Sequence, residues 1–145
     1  MGKIITAERY HDISCGHRVV GHENKCKFLH GHNYRFHFKI ASASGLDEVG
    51  RVMDFGVIKS KLCNWLEENY DHKMLIWELD PMLVDLKKIS PESIVITDFN
   101  PTAENIAEHF CEVLAPELLS GTGCVLMELK IEETRKCSAT YQIRK

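Results

Sequence analysis

The stretch His30-Gly-His-Asn-Tyr-Arg-Phe-His-Phe-Lys-Ile40 decides the fold. Its even positions from His32 onward are His32, Tyr34, Phe36, Phe38 and Ile40, and Asn33, Arg35, His37 and Lys39 fill the odd ones. Neighbouring side chains on a strand point to opposite faces, so this alternation predicts a half-buried strand with an aromatic face turned to a core. Upstream, Ile4 to Cys15 is rich in β-compatible residues, and the stretch from Gly16 to Leu29 is polar and irregular. The reading is strand, long loop, strand.

Downstream, Asp54 precedes Phe55, Ile58, Leu62, Trp65, Leu66 and Tyr70, a spacing of three and four that predicts one face of a helix with Asp54 as its N-cap. A second helix follows Pro101 and Thr102, through Ala103, Ile106, Ala107, Phe110 and Leu114, with Thr102 as cap and Pro116 near its end. Glu78 to Asn100 reads as a long connection containing a short β-like stretch, Ile94 to Thr97. Val125 to Glu133 and Ala139 to Ile143 read as the last two strands. The expected order is ββααββ, an α+β fold with a four-stranded antiparallel sheet and two helices on one face. Such a sheet has open edges, which favours pairing between copies of the chain.

The 145 residues suit one domain, 1–145. With 18 Lys plus Arg against 21 Asp plus Glu, the formal net charge of -3 gives no global attraction to nucleic acid or anionic lipid. Any anionic ligand must be held locally. The longest apolar runs, such as Met74 to Trp77, fall far short of the ~20 residues of a membrane span. Met1 to Tyr10 lacks the basic start and long apolar stretch of a secretory signal, so the expected location is the cytoplasm. The six cysteines (15, 26, 63, 111, 124 and 137) lack close pairing spacing and are expected as reduced thiols, most of them core filler.

The histidines carry the chemistry. His11, His17, His22, His30, His32 and His37 all lie in the first 37 residues. His30 and His32 share the parity of the aromatic face, and Gly31 between them marks a close backbone approach. His17 shares parity with Ile13 and Cys15 at the end of the first strand, so a neighbouring strand can deliver a third imidazole to the same point. Three imidazoles suit Zn²⁺ with an open fourth position, the arrangement of a catalytic site. A clustered but metal-free polar loop is the plainer alternative, and a structural site with Cys26 as fourth ligand is another. His11, His22 and His37 have no comparable placement.

Cys26 lies between Lys25 and Lys27, whose charge favours the thiolate, which makes it the candidate reactive cysteine. Asp71 and His72 offer a carboxylate beside an imidazole, the parts of a proton relay, although a polar pair at a helix end has the same sequence. In Val125, Met127, Leu129 and Ile131 the odd positions are apolar, and Glu133 extends that parity. A carboxylate there needs partners, and a flat heterocycle with two adjacent N–H donors supplies them. A strand ending at Ile131 would remove that requirement.

Together these residues resemble the 6-pyruvoyltetrahydropterin synthase and 6-carboxytetrahydropterin synthase family of the tunnelling fold. The resemblance runs through Ile13-Ser-Cys-Gly-His17-Arg, Cys26-Lys-Phe-Leu-His30-Gly-His32-Asn33-Tyr34, Met53-Asp54-Phe55, Asp71-His72, Asn100-Pro-Thr102-Ala-Glu104-Asn105 and Glu132-Glu133-Thr134. It implies zinc on His17, His30 and His32, proton transfer by Cys26, Asp71 and His72, and a pterin ring anchored by Glu133, with Thr102 and Glu104 among the substrate contacts. It further implies trimers whose sheets join into a barrel, two trimers stacked into a homohexamer, and active sites at subunit interfaces.

The implied substrate is 7,8-dihydroneopterin triphosphate, with side-chain hydroxyls on zinc. The three-residue gap between Cys26 and His30 resembles the bacterial members that form 6-carboxytetrahydropterin with release of acetaldehyde and triphosphate, on the route to queuosine and other 7-deazaguanines. In the pyruvoyl-forming animal-type members the cysteine usually stands farther from the HGH motif. The alternatives are that pyruvoyl product, a lyase of the biopterin route, and a non-catalytic pterin-binding protein. Two departures stand out: Glu78 to Ser93 is longer than in compact bacterial members, and Cys15 occupies a position usually held by a smaller residue.

Overall fold

The computed structural model describes residues 3–144. Its strands are β1 Thr6–His17, β2 His30–Ser42, β3 Met74–Trp77, β4 Ile94–Thr97, β5 Cys124–Glu132 and β6 Ser138–Gln142. They form one sheet in the order β4-β3-β1-β2-β5-β6. The long β1–β2 pair is antiparallel, with His17 opposite His30 and Cys15 opposite His32. β5 and β6 extend the antiparallel part on the other side of β2.

The expected four strands are six, because β3 and β4 add to the edge of β1 as parallel strands. Each is only four residues long and continuously apolar or β-branched, too short to show alternation, and Leu75 and Ile76 are fully buried. The sheet is therefore mixed rather than wholly antiparallel. Parallel neighbours need a crossover, and the long connection after Trp77 supplies it with a third helix.

The helices are α1 over 55–69, α2 Leu83–Ile89 and α3 over 103–118. Asp54 caps α1 by accepting from the Gly56 N–H at 2.8 Å, and Thr102 caps α3 by accepting from the Asn105 N–H at 3.1 Å, both as the sequence predicts. α2 buries none of its residues, which is why no apolar stripe announced it. α1 and α3 each widen for one π turn, Lys59–Cys63 and Phe110–Leu114. The second lies just before Pro116, whose missing N–H and ring forbid the regular hydrogen bond there.

Both long helices cover the same face of the sheet. Phe110 of α3 is fully buried, with ring centroids 5.3 Å from Phe38, 6.3 Å from Phe36 and 5.7 Å from Trp65 of α1. Burying aromatic groups of this size contributes strongly to holding the layers together, at ~25 cal/mol per Å² of apolar surface. The opposite face carries cross-strand ion pairs, Arg35 to Asp12 at 2.8 Å and Lys39 to Glu128 at 3.1 Å.

The β2–β5 register shifts between Lys39 and Ile40, which pair with Glu128 and Leu126 and leave Met127 as the extra residue of a bulge. The parity expected for β5 is corrected by this bulge. Before it, Cys124 and Leu126 are buried and Val125 is exposed; after it, Leu129 and Ile131 are buried. The reset delivers Glu133, just past the strand end, to the covered side of the sheet.

Candidate metal centre and active site

The register of β1 and β2 builds the centre. His17 closes β1 directly opposite His30, and His32 stands two residue pairs inward, on the same face. Gly31 lets the strands approach: a Cβ there would sit 3.2 Å from the Cys15 carbonyl oxygen. Close backbone approach, inferred from the HGH spacing, is what the pair displays. The three rings lie with centroids 4.6 to 5.2 Å apart.

Each orientation has a cause. The His17 Nδ1 hydrogen-bonds the Pro101 carbonyl at 2.6 Å, and the His30 Nδ1 hydrogen-bonds the Phe28 carbonyl at 2.7 Å. A carbonyl only accepts, so both Nδ1 atoms carry hydrogen and both neutral rings turn a bare Nε2 lone pair inward. Those two Nε2 atoms are 3.0 Å apart. The His32 Nε2 is buried and makes no aligned hydrogen bond, although a Glu133 carboxylate oxygen lies 3.0 Å away. Facing lone pairs and an orphaned ring nitrogen are costly unless a cation sits among them. Outer carbonyls that orient imidazoles in this way are the usual support of a metal site.

Glu133 completes the cluster, with Oε1 3.0 Å from His32 Nε2 and 3.3 Å from His17 Nε2. The four donor atoms lie within 4.8 Å of one another. Tetrahedral zinc at ~2.0–2.1 Å from each donor needs donor separations of ~3.3–3.4 Å, and three imidazoles with a carboxylate are donors zinc accepts. The residues fit such an ion. The Cys26 sulfur is not in this donor group, so a Cys-His₃ arrangement is not what the fold assembles.

The electrostatics agree with the packing. The His17 ring nitrogen 3.3 Å away, and the other two imidazoles around the carboxyl, favour its charged form and hold Glu133 below its ordinary range against the upward push of burial. Burial pushes His32 below the ordinary histidine value, keeping it neutral, despite Glu133 nearby. Burial drives the Cys15 thiol up to about 12, with Asp71 adding to the rise, so this cysteine stays an inert thiol under the rings. Tyr34 lies beneath His17 and His32, and its hydroxyl is a second buried polar atom without a partner.

Cys26 is half-buried on a single 3-10 turn, Lys25–Lys27, and is a free thiol like the other cysteines. Asp71 and His72 form a dyad at the end of α1. The Asp71 Oδ2 is 2.7 Å from His72 Nδ1, and its Oδ1 accepts from the Ser14 N–H at 2.8 Å. Burial raises the Asp71 carboxyl, but the bonds from Ser14 and His72 outweigh it and hold the carboxyl below its ordinary value. His72 has a φ of 61°, in the left-handed region that non-glycine residues rarely occupy, and its Nε2 is left free.

Among the described residues, no hydrogen bond or ion pair joins this dyad to the histidines or to Cys26. The His72 side chain is 81% exposed and shares a groove with Asp12, Ser14, Asn33, Arg35 and Arg135, residues of the face opposite the core. Thr102 spends its hydroxyl on the α3 cap, and Glu104 is exposed in the first turn of that helix. Thr102 follows directly on Pro101, whose carbonyl holds His17, and Glu104 lies two residues further on. The Phe28 and Pro101 carbonyls were not foreseeable, because a backbone acceptor leaves no mark in a side-chain pattern. Tyr34 was on the correct face by parity, but not identifiable as unpartnered.

Comparisons with known proteins agree with this architecture. The sequence profile of the family described as 6-pyruvoyl tetrahydropterin synthase matches residues 5–144. A Rickettsia felis protein named 6-carboxy-5,6,7,8-tetrahydropterin synthase is 38% identical over 135 residues, covering 92% of this chain and 97% of the relative. A Rickettsia typhi protein of the same name is 37% identical with the same coverage. Among solved structures, Caenorhabditis elegans 6-pyruvoyl tetrahydropterin synthase superposes with a TM-score of 0.69 at 25% identity, covering 98% of this chain and 97% of that one. An uncharacterized Wolinella succinogenes protein shares the fold with a TM-score of 0.83 at 23% identity, over 99% of this chain and all of that one. With the profile spanning nearly every described residue, the chain belongs to the 6-pyruvoyl tetrahydropterin synthase family.

Proposed function

We propose that the protein is a zinc-dependent lyase that converts 7,8-dihydroneopterin triphosphate and water to 6-carboxy-5,6,7,8-tetrahydropterin, acetaldehyde and triphosphate, a step toward queuosine and related 7-deazaguanines. The observation that carries this reading is the inward set of His17, His30, His32 and Glu133, with a free Cys26 on the turn that leads into His30, in a chain whose curated relatives bear the carboxy-forming name. The short spacing from Cys26 to His30 favours the same product over the pyruvoyl one.

In this mechanism His17, His30 and His32 would hold the ion, with the Pro101 and Phe28 carbonyls fixing the directions of the first two rings. A zinc ion held there would supply Lewis acidity toward the side-chain hydroxyls of the substrate. Glu133 accepts the N–H donors of the pterin ring and keeps it in one plane, and the family resemblance gives Thr102 and Glu104 further contacts to the substrate. Cys26, as thiolate, removes a carbon-bound proton from the side chain. Asp71 keeps His72 in the tautomer whose Nε2 exchanges a proton with the substrate side chain.

The exposed dyad and the histidine centre act on one substrate when neighbouring subunits bring them together, in trimers joined through the open edges at β4 and β6 and stacked as a homohexamer. None of the described helices is long and apolar enough to cross a membrane, which suits a freely diffusing triphosphate substrate.

The test is Cys26→Ala in the zinc-loaded protein. The substitution removes turnover, by at least ~10²-fold for a lost general base, and leaves zinc stoichiometry unchanged. Retained turnover overturns the role of Cys26, and loss of zinc returns Cys26 to the ligand set.

A further inference from the structure

Cys26 stands on one short turn in the long irregular segment between β1 and β2. A lone 3-10 turn has little rigidity of its own. Three successive carbonyls of this turn are nonetheless held: Cys26 by the Val19 N–H at 2.8 Å, Lys27 by Arg18 Nη1 at 2.6 Å, and Phe28 by the His30 ring at 2.7 Å. The first and last bonds stay within residues 17–30. The middle one leads elsewhere, because Arg18 Nε also donates to Asp80 Oδ2 at 2.7 Å.

Asp80 is unusual in this chain. Only His17, Asp80 and Thr97 are buried polar or charged residues among those described, and the Asp80 side chain has no exposure at all. It follows β3, where its other oxygen accepts the Met82 N–H at 2.8 Å ahead of α2. An ion pair at such depth is expensive to desolvate and weak as a source of stability. A planar guanidinium, however, can hold a carboxylate and a carbonyl at once in fixed directions, which a lysine ammonium cannot reproduce. The near side of the segment is anchored as well: the Asn100 side chain bonds both Val20 N–H and Val20 carbonyl at 3.0 and 2.9 Å, next to the Pro101 carbonyl that orients His17.

We infer that the Arg18–Asp80 pair is a positioning device that locks the Cys26 turn against the histidine centre, and that the extended connection after β3 serves the active site by supplying Asp80. The inference rests on Cys26 as the proton-transfer group. Arg18 and Asp80 touch neither metal nor substrate in this account. They act through the Lys27 carbonyl, and set where the neighbouring thiol stands.

The experiment uses Asp80→Asn and Arg18→Lys in the full chain, each measured for zinc content, kcat, KM, and iodoacetamide labelling of Cys26 relative to exposed Cys137 by peptide mass spectrometry. Both variants should keep zinc and a KM within about twofold, lose at least tenfold in kcat, and label Cys26 at least threefold faster relative to Cys137. A merely structural pair would lower the melting temperature and leave that labelling ratio alone. An unchanged ratio in a folded, zinc-retaining variant overturns the inference, whatever happens to turnover. Should Asp80→Asn fail to fold, Arg18→Lys keeps a charge opposite Asp80, removes only the fork, and is judged by the same ratio. If Cys26→Ala keeps full turnover, the assigned role of Cys26 fails, while the labelling ratio still decides whether Arg18 and Asp80 lock the turn.

Discussion

The Nε2 atoms of His17 and His30 face each other at 3.0 Å, each ring having committed its other nitrogen to a backbone carbonyl. Two neutral rings cannot both accept, so a proton or a metal ion must reconcile them. With His32 unpartnered beside them, a divalent cation satisfies all three at once.

This predicts one zinc per chain by elemental analysis of protein prepared without chelator. His30→Ala should lower zinc affinity by at least 10²-fold and leave the chain folded, since its ring is only partly buried. Stoichiometric zinc in His30→Ala would contradict the centre.

Glu133 offers an oxygen to the same cluster but is assigned to the pterin ring. Glu133→Gln keeps the shape and removes the charge. Zinc affinity should fall by less than tenfold while KM for the pterin rises at least tenfold, measured by competition with a chelator and by steady-state kinetics. Zinc lost with KM unchanged would make Glu133 a ligand instead of an anchor.

The Asp71 carboxyl is held below its ordinary 3.8 in the folded chain, its hydrogen bonds to Ser14 and His72 outweighing burial. A carboxyl with a lowered folded value contributes stability that is present above its unfolded value and lost as pH falls through the folded one. Asp71→Asn should therefore cost about 1–2 kcal/mol at neutral pH, the scale of hydrogen bonds to a charged group, and the gap should shrink progressively as pH falls below the ordinary 3.8. Urea titrations at several pH values give the answer, and a gap constant down to about pH 2.5 would contradict the assignment.

Gly31 has only 3.2 Å between a prospective Cβ and the Cys15 carbonyl oxygen, which is strand backbone and cannot swing away. Gly31→Ala should destabilise the chain by about 1–3 kcal/mol and weaken zinc binding, because the contact spreads the two strands that carry the ligands. Unchanged zinc affinity would show that the centre tolerates a wider strand pair.

Much of the site was legible from period-two patterning. His17, His30, His32 and Tyr34 lie on the face their parity assigns, and the Asp54 and Thr102 caps stand where a side-chain acceptor precedes an apolar stripe. The β-like stretch Ile94 to Thr97 is β4, though nothing in its four residues told which strand it joins; β3 escaped because four apolar residues carry no period, and α2 because it buries nothing. In β5 the bulge at Met127 exchanged the two faces midway, so Val125 is exposed where strict alternation buries it. Glu133 reached the histidines for the reason the sequence suggested, but only because the bulge put Leu129 and Ile131 on the core face. The Pro101 and Phe28 carbonyls depend on tertiary placement alone.

The reaction itself is tested most directly by incubating the zinc-loaded protein with 7,8-dihydroneopterin triphosphate and identifying the products by mass spectrometry. The expected products are 6-carboxy-5,6,7,8-tetrahydropterin, acetaldehyde and triphosphate. A 6-pyruvoyl product, with triphosphate released and no acetaldehyde, would contradict it.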